Sequence, residues 1–252
     1  MTLDEFFARN PRAALAFSGG VDSACLLWAG LQAGAEVRPY FVKTPFQPRF
    51  ELEDAWRLCN QLDAELTVLD CDILSDEAVT ANPPDRCYHC KRRLFSHLKY
   101  YAASEGFSLL LDGTNASDDG GDRPGMRALR ELGVRSPLRE CGLSKADIRR
   151  LAREAELPVW DKPSYACLAT RIPAGTTITA EDLARAARGE AALLERGFSD
   201  FRLRLRDGGA LLQVRWEQME RARALLPELR ELLAADFRAV ELDGTPRQSR
   251  ET

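Results

Sequence analysis

The chain has 252 residues, 45% of them hydrophobic and 29% charged, with a formal net charge of −4. That length suits one large domain or two modest ones with a sizeable core, and the mixed, slightly acidic charge argues against a generic nucleic-acid binder. No apolar run is long enough to span a bilayer and no signal peptide opens the chain, so a cytoplasmic protein with no membrane or nucleic-acid partner is expected.

The first apolar run, Ala13 to Phe17, reads as a strand, and Ala24 to Leu31 as a helix. Between them lies Ser18-Gly-Gly-Val-Asp-Ser23. Gly19 and Gly20 let the backbone turn tightly and approach a ligand. The free N–H groups of the next helical turn, including that of Val21, attract an anion. Ser18 and Ser23 add hydroxyl donors. Asp22 would repel a bare phosphate and makes sense if a magnesium ion sits between them. No Lys-Ser or Lys-Thr pair follows the glycines, so this is not a Walker loop.

Val37 to Val42 reads as a second strand, Phe50 to Leu62 as a helix and Glu65 to Leu69 as a third strand. This alternation predicts a parallel sheet covered on both faces. Asn82-Pro-Pro-Asp85 stops regular structure, and Cys87-Tyr-His-Cys90 then leads from a polar loop into a helix from Lys91 to Ala103. Leu109 to Leu111 is a fourth strand. It ends in Asp112-Gly113-Thr114-Asn115, where α/β folds place nucleotide contacts. Residues 116 to 126 read as an Asp/Gly-rich loop, 136 to 138 as a short fifth strand, and Ser144-Lys-Ala-Asp147 as the capped start of a helix to Glu156. A linker follows, from Pro158 to Gly175, carrying Cys167. Beyond it lie a helix from Thr179 to Gly197, a hairpin of Phe201 to Leu205 with Leu211 to Val214 across Asp207-Gly-Gly209, a helix from Glu217 to Leu233, a last strand from Phe237 to Leu242, and a polar tail expected to fray.

Seven cysteines cannot all pair within one chain. In a reducing compartment the useful question is which thiols bind or react. Cys25 and Cys59 sit in apolar helical segments and read as core, whereas Cys87, Cys90 and Cys167 lie among Pro-rich polar residues. The CxxC pair alone leaves alternatives open: half a zinc site completed by His89, His97 or Cys167, or a redox dithiol.

Ser18-Gly-Gly-Val-Asp-Ser23 resembles the pyrophosphate loop of the N-type ATP pyrophosphatases. Together with Asn82-Pro-Pro-Asp-Arg-Cys-Tyr-His-Cys-Lys91, Gly113-Thr-Asn115, Arg123-Pro-Gly125, Ser136-Pro-Leu138 and Pro163-Ser-Tyr-Ala-Cys-Leu-Ala-Thr-Arg-Ile-Pro173, it resembles the ATP-dependent sulfur transferases of the LarE family, which build the nickel-pincer nucleotide of lactate racemase. The likeness runs over nearly the whole chain. It implies an α/β fold with a Rossmann-like (adenine nucleotide α-hydrolase-like) parallel sheet and a second, smaller α/β domain. Residues 1–165 would form the ATP pyrophosphatase domain, 166–175 a linker carrying the third cysteine, and 176–252 a substrate and oligomerisation domain.

The resemblance further implies that ATP and Mg2+ adenylate a carboxylate of pyridinium-3,5-biscarboxylic acid mononucleotide, which sulfur then converts to a thiocarboxylate, with AMP and pyrophosphate released. Two sulfur routes occur in the family: a sacrificial cysteine at the position of Cys167, or a [4Fe–4S] cluster on three cysteines. Cys87, Cys90 and Cys167 match the second pattern and leave one iron open for an added sulfide. A sulfide source or sulfur carrier is then a partner, and a homo-oligomer, for which the family offers a hexamer, is implied. The ATP-site residues are Ser18, Gly19, Gly20, Val21, Asp22, Ser23, Gly113, Thr114 and Asn115. Arg202 and Arg204, on one face of a strand, are expected at the substrate phosphate, with Arg171 near the adenylate and Glu190 helping hold a metal. A tRNA thiolase with the same loop, an ammonia-using synthetase, and a non-catalytic ATP or metal sensor are the alternatives. Full activity of Cys167→Ala would point to the synthetase.

Overall fold

The structure is a computed structural model and describes residues 1–118 and 123–247. In chain order the elements are α1 (Leu3–Arg9), β1 (Arg12–Ala16), α2 (Val21–Gln32), β2 (Glu36–Lys43), α3 (Arg49–Gln61), β3 (Thr67–Asp70), α4 (Glu77–Thr80), α5 (Arg86–Ser104), β4 (Leu110–Leu111), α6 (Pro124–Glu131), α7 (Pro137–Glu140), α8 (Lys145–Glu154), α9 (Ala180–Glu195), β5 (Arg202–Arg206), β6 (Gly209–Gln213), α10 (Met219–Leu232) and β7 (Val240–Leu242). Short 3-10 turns lie at Ile73–Ser75, Leu168–Arg171 and Trp216–Gln218.

Four parallel strands form the first sheet in the order β3-β2-β1-β4. Ala13, Ala14 and Leu15 of β1 are all fully buried, as expected for a strand covered on both faces. β1 lies between β2 and β4, so the connections leaving β1 and β4 diverge. Such a switch point is where open α/β sheets bind ligands, outside the carboxyl ends of the strands. The second sheet has the order β5-β6-β7, with β5 and β6 antiparallel and β6 and β7 parallel. Asp207 (φ +50°) and Gly208 (φ +75°) make the β5–β6 turn; positive φ at both positions matches the right-handed twist of a hairpin. The α/β class expected above is what the molecule shows.

One buried apolar cluster joins α1, α2, α3, α8 and the first sheet. Another surrounds the second sheet and takes in Phe46, Ile73 and Val79 from the N-terminal part, along with Leu168, Ala169 and Ile172. The turn after Cys167 is therefore anchored in the core around the second sheet.

Three local expectations are corrected. Residues 136–138 are not a strand: pairing is limited to one bridge, Leu111 with Arg135, and Pro137 then opens α7. Proline lacks a ladder donor, and its fixed φ suits the first helical position. Pro124 likewise opens α6 within what reads as a loop, while residues 119–122 of that stretch lie outside the described residues. Cys87 and Cys90 lie inside the first turns of α5, not in a loop before it. Of the polar tail, Arg247 bridges Arg215, and residues 248–252 are outside the described part.

Candidate active site

The turn between β1 and α2 is built by its own side chains. Ser23 Oγ accepts from Ser18 N (3.3 Å) and donates to Gly20 O (3.1 Å), closing the loop on itself. Gly19 has φ +71°, and a Cβ there would lie 3.0 Å from Ala55 N and 3.1 Å from Glu51 O of α3. Only glycine fits without strain. Gly113 serves a close approach of another kind: a Cβ would sit 3.1 Å from Ser23 N and 3.2 Å from Asp22 Cβ. The ends of β1 and β4 are thus pressed together. Val21 is buried in the core, so only its backbone faces the loop.

Asp22 points across this seam. Asn115 Nδ2 donates to its Oδ1 (3.1 Å) and Lys145 Nζ pairs with its Oδ2 (2.5 Å). Asn115 Oδ1 in turn accepts from Ser117 N (2.8 Å) and Asp118 N (3.2 Å). Beneath, buried Asp112 accepts from Thr114 Oγ1 (2.5 Å) and Ser136 Oγ (2.6 Å), which fixes the β4 turn. Above them opens a cavity of about 570 Å³, walled by Ser18, Asp22, Ser23, Asp112, Gly113 and Thr114, with Glu51, Cys87, Lys91 and Arg123 on its far sides. Burial pushes the Glu51 carboxyl up to about 7, against the attraction of Lys162 and with Asp54 adding to the rise.

The second grouping centres on Arg86. This arginine is buried (6% exposed), and its guanidinium lies 5.8 Å from the Phe46 ring centroid. Its Nη1 donates to Cys167 Sγ (3.6 Å) and its Nη2 to Cys87 Sγ (3.8 Å). Cys90 shares the neighbourhood: burial pushes its thiol up to about 12, with Cys167 and Cys87 adding to the rise and Arg86 opposing it. The three cysteines singled out in the sequence therefore converge, although 77 residues separate Cys90 from Cys167 in the chain. Cys167 heads its 3-10 turn, held by a hydrogen bond from Leu168 N to Phe46 O (2.8 Å). His89 faces Asp85 (3.5 Å) and His97 packs edge-on against Tyr101. Among the described residues, no group of three or more His, Cys, Asp and Glu is arranged to hold a metal ion.

The third grouping lies on the second sheet. Arg202 and Arg204 share one face of β5, with Leu203 and Leu205 buried on the other. Arg206, on the same face, is exposed beside Asp207. Burial, then repulsion from Arg171 and Arg247, brings Arg202 down to about 10, and Arg204 is lowered for the same reasons. Among the described residues neither has an ion-pair partner. Such a face is short of anions. Arg171 and Glu190, expected at the substrate, are turned on each other. Their side chains are 0% and 1% exposed, with Arg171 Nε and Nη2 on the two carboxylate oxygens, the latter at 3.0 Å. Glu190 also accepts from Leu203 N (3.0 Å) and from Tyr165 Oη. Its acceptor positions are filled by protein, which leaves it poorly placed to ligate a metal in this arrangement. Arg171 Nη1 reaches Thr170 Oγ1 (2.7 Å) and Arg204 Nη1 reaches Thr170 O (3.2 Å), so the cysteine-bearing turn is tied directly to the arginine face.

Lys145, Lys91, Glu51 and Arg86 were not marked as site residues by the sequence. In the sequence Lys145 is only the first residue of a capped helix, and Arg86 only the residue before the CxxC pair.

No model of a known protein family matches the chain. The chain is 34% identical to the uncharacterized protein slr1717 of Synechocystis sp. over 219 residues, covering 86% of this chain and 82% of that protein. It is 33% identical to the pyridinium-3,5-bisthiocarboxylic acid mononucleotide synthase of Lactiplantibacillus plantarum over 205 residues, 81% of this chain and 74% of that protein. Similarity to the tRNA-specific 2-thiouridylase MnmA of Thermotoga petrophila, 28% over 141 residues, covers 46% of this chain and 39% of that protein, and marks the shared superfamily. Breadth of match at this identity, on a loop-and-sheet scaffold with the same superfamily features, decides the matter: the chain belongs to the LarE family, that of the pyridinium-3,5-bisthiocarboxylic acid mononucleotide synthase.

Proposed function

We propose that the protein is an ATP-dependent sulfur transferase that adenylates a carboxylate of pyridinium-3,5-biscarboxylic acid mononucleotide and converts it to a thiocarboxylate. The observation that carries this reading is the convergence of three thiols on Arg86, with Cys87 in the wall of the cavity above the pyrophosphate-type loop. Residues 1–165 serve ATP, 166–175 bring Cys167 to it, and 176–252 grip the nucleotide substrate through Arg202 and Arg204.

A carboxylate is a poor electrophile at neutral pH, and attaching AMP to it supplies a leaving group. The N–H groups of Gly19, Gly20 and Val21 and the hydroxyl of Ser18 receive the departing pyrophosphate, while Ser23 Oγ, engaged with Ser18 N and Gly20 O, holds the loop in shape. Asp22 would hold Mg2+, which when bound would screen charge on the phosphates. Lys145 Nζ pairs with Asp22 Oδ2 (2.5 Å) and would bring a positive charge to the phosphate side of the loop. Asn115 keeps Asp22 aimed throughout. Gly113 and Thr114 shape the nucleotide side of the cavity.

Cys87, Cys90 and Cys167 would hold a [4Fe–4S] cluster, which three thiolates leave with one iron open for a sulfide donor. A second reading keeps the same reaction with Cys167 as the donor. Its thiolate displaces AMP to give a thioester, and removal of its Cα proton then breaks the Cβ–S bond, leaving dehydroalanine in the chain and the sulfur on the product. That reading draws on the guanidinium already on Cys167 Sγ (3.6 Å) and Cys87 Sγ (3.8 Å).

Iron and acid-labile sulfide, measured after anaerobic reconstitution, distinguish the two. About four irons per chain, lost in Cys87→Ala, Cys90→Ala and Cys167→Ala alike, is the expected result. Wild-type protein that binds no iron, and shows loss of hydrogen sulfide from Cys167 by intact mass after one turnover, would replace the cluster with the sacrificial cysteine.

A further inference from the structure

Arg86 is unusual in what it lacks. A buried guanidinium normally lies against a carboxylate, because an unpaired buried charge is strongly disfavoured. Arg86 is 6% exposed, and among the described residues no ion pair engages it. Asp85, the adjacent acid, faces His89 and Arg127 instead. Both arms of the Arg86 fork go to sulfur, Nη1 to Cys167 Sγ (3.6 Å) and Nη2 to Cys87 Sγ (3.8 Å). Phe46 covers the guanidinium at 5.8 Å and excludes water from that side. The chain order contributes too. Arg86 is the first residue of α5, after Pro83-Pro84-Asp85, so its backbone is fixed by the helix start while its side chain reaches Cys167, 81 residues further along the chain.

We propose that Arg86 is a positioning residue whose guanidinium is the built-in counter-charge for anionic sulfur held between Cys87 and Cys167. The group it serves is any sulfur anion in that space: a cysteine thiolate, a persulfide or a terminal sulfide. It keeps the anion facing the cavity without donating a proton to the reaction, since a guanidinium does not deprotonate in proteins. An arginine fork suits two sulfurs at once, whereas a lysine offers one point charge. The assignment deepens the sulfur-transfer reading and rests on Cys167 being a sulfur-bearing position.

The test reads local potential rather than turnover. Metal-free, fully reduced protein is alkylated under pseudo-first-order conditions with iodoacetate, which is anionic, and with iodoacetamide, which is neutral, and the rate at each cysteine is followed by peptide mass spectrometry. The ratio of the two rates at Cys167 reports the nearby positive charge. In Arg86→Gln that ratio falls by about three- to sixfold, the Coulomb effect of one unit charge at roughly 4–6 Å in a high-dielectric setting. Arg86→Lys keeps most of the wild-type ratio. Cys141, packed with the other core beside Glu140 and Arg135, is the internal control and keeps its ratio in every variant. If Arg86→Gln unfolds, Cys25 and Cys59 become reactive, and the decision passes to Arg86→Lys against wild type together with the salt dependence of the wild-type ratio at Cys167. An unchanged ratio in folded Arg86→Gln, or a wild-type Cys167 ratio no higher than that of Cys141 and insensitive to salt, overturns the assignment. Failure of the sulfur-transfer reading looks different: the ratios behave as expected while wild type forms no thiocarboxylate.

Discussion

The Arg171–Glu190 pair offers the sharpest stability prediction. Both side chains are fully buried, and Glu190 accepts from two Arg171 nitrogens, Tyr165 Oη and Leu203 N. Glu190→Gln preserves volume and one carbonyl acceptor but removes the carboxylate charge, leaving the guanidinium buried without a counter-ion. Breaking a buried pair from one side costs about 3–5 kcal/mol, because the remaining charge is uncompensated. For a chain of this size that corresponds to a fall in Tm of about 6–20 °C. The double replacement Arg171→Met with Glu190→Leu removes both charges and should recover all but about 1–2 kcal/mol, since a well-packed apolar pair avoids the desolvation penalty. Urea denaturation of wild type, both single variants and the double variant gives the coupling energy directly. A loss below about 1 kcal/mol for Glu190→Gln, or a double variant as unstable as the summed singles, would refute the buried-strut account. It would point back to a pair that opens toward substrate.

Gly19→Ala places a methyl 3.0 Å from Ala55 N at φ +71°. It should lower stability by about 1–3 kcal/mol and weaken ATP binding more than any loop serine replacement, as isothermal titration would show. Glu51, raised to about 7 by burial, retains its proton in the folded state over a range where the unfolded chain has lost it. Its contribution therefore falls as pH rises from about 4.5 to 7, by at most about 3 kcal/mol. Glu51→Gln should flatten that part of the stability–pH curve and gain relative to wild type at pH 8, measured by Tm against pH. Arg202 is desolvated and repelled by Arg171 and Arg247. Arg202→Gln should leave Tm unchanged or raise it slightly while KM for the nucleotide substrate increases about tenfold or more, the loss of one charge-assisted hydrogen bond.

The loop between β1 and α2 was legible because its signals are local. Glycines, a small-residue strand and an apolar helix lie within twenty residues of one another, and β1, the turn and α2 fall where that pattern puts them. Misreadings arose where proline carries two meanings. Pro83-Pro84 read as the end of order around the cysteines, whereas Asp85 leads at once into α5; Pro124 and Pro137 read as loop and strand, whereas each opens a helix. The identity of the three cysteines came from a sequence resemblance, but their gathering around Arg86 is a tertiary fact with no local period. The same holds for Arg171 and Glu190. An arginine four residues after a cysteine and a glutamate inside a charged helix both look like surface side chains until the fold closes over them.

The central claim is that ATP activates a carboxylate here so that sulfur can replace its oxygen. The most direct test mixes iron- and sulfide-reconstituted protein anaerobically with ATP, Mg2+ and pyridinium-3,5-biscarboxylic acid mononucleotide, and follows AMP, pyrophosphate and the mass of the nucleotide together. The account predicts AMP and pyrophosphate in equal amounts, formed only when the nucleotide is present, and a product in which one oxygen has become sulfur, with no such product from Cys167→Ala. ADP and phosphate in place of AMP and pyrophosphate, or a sulfur-bearing product undiminished in Cys167→Ala, would contradict it.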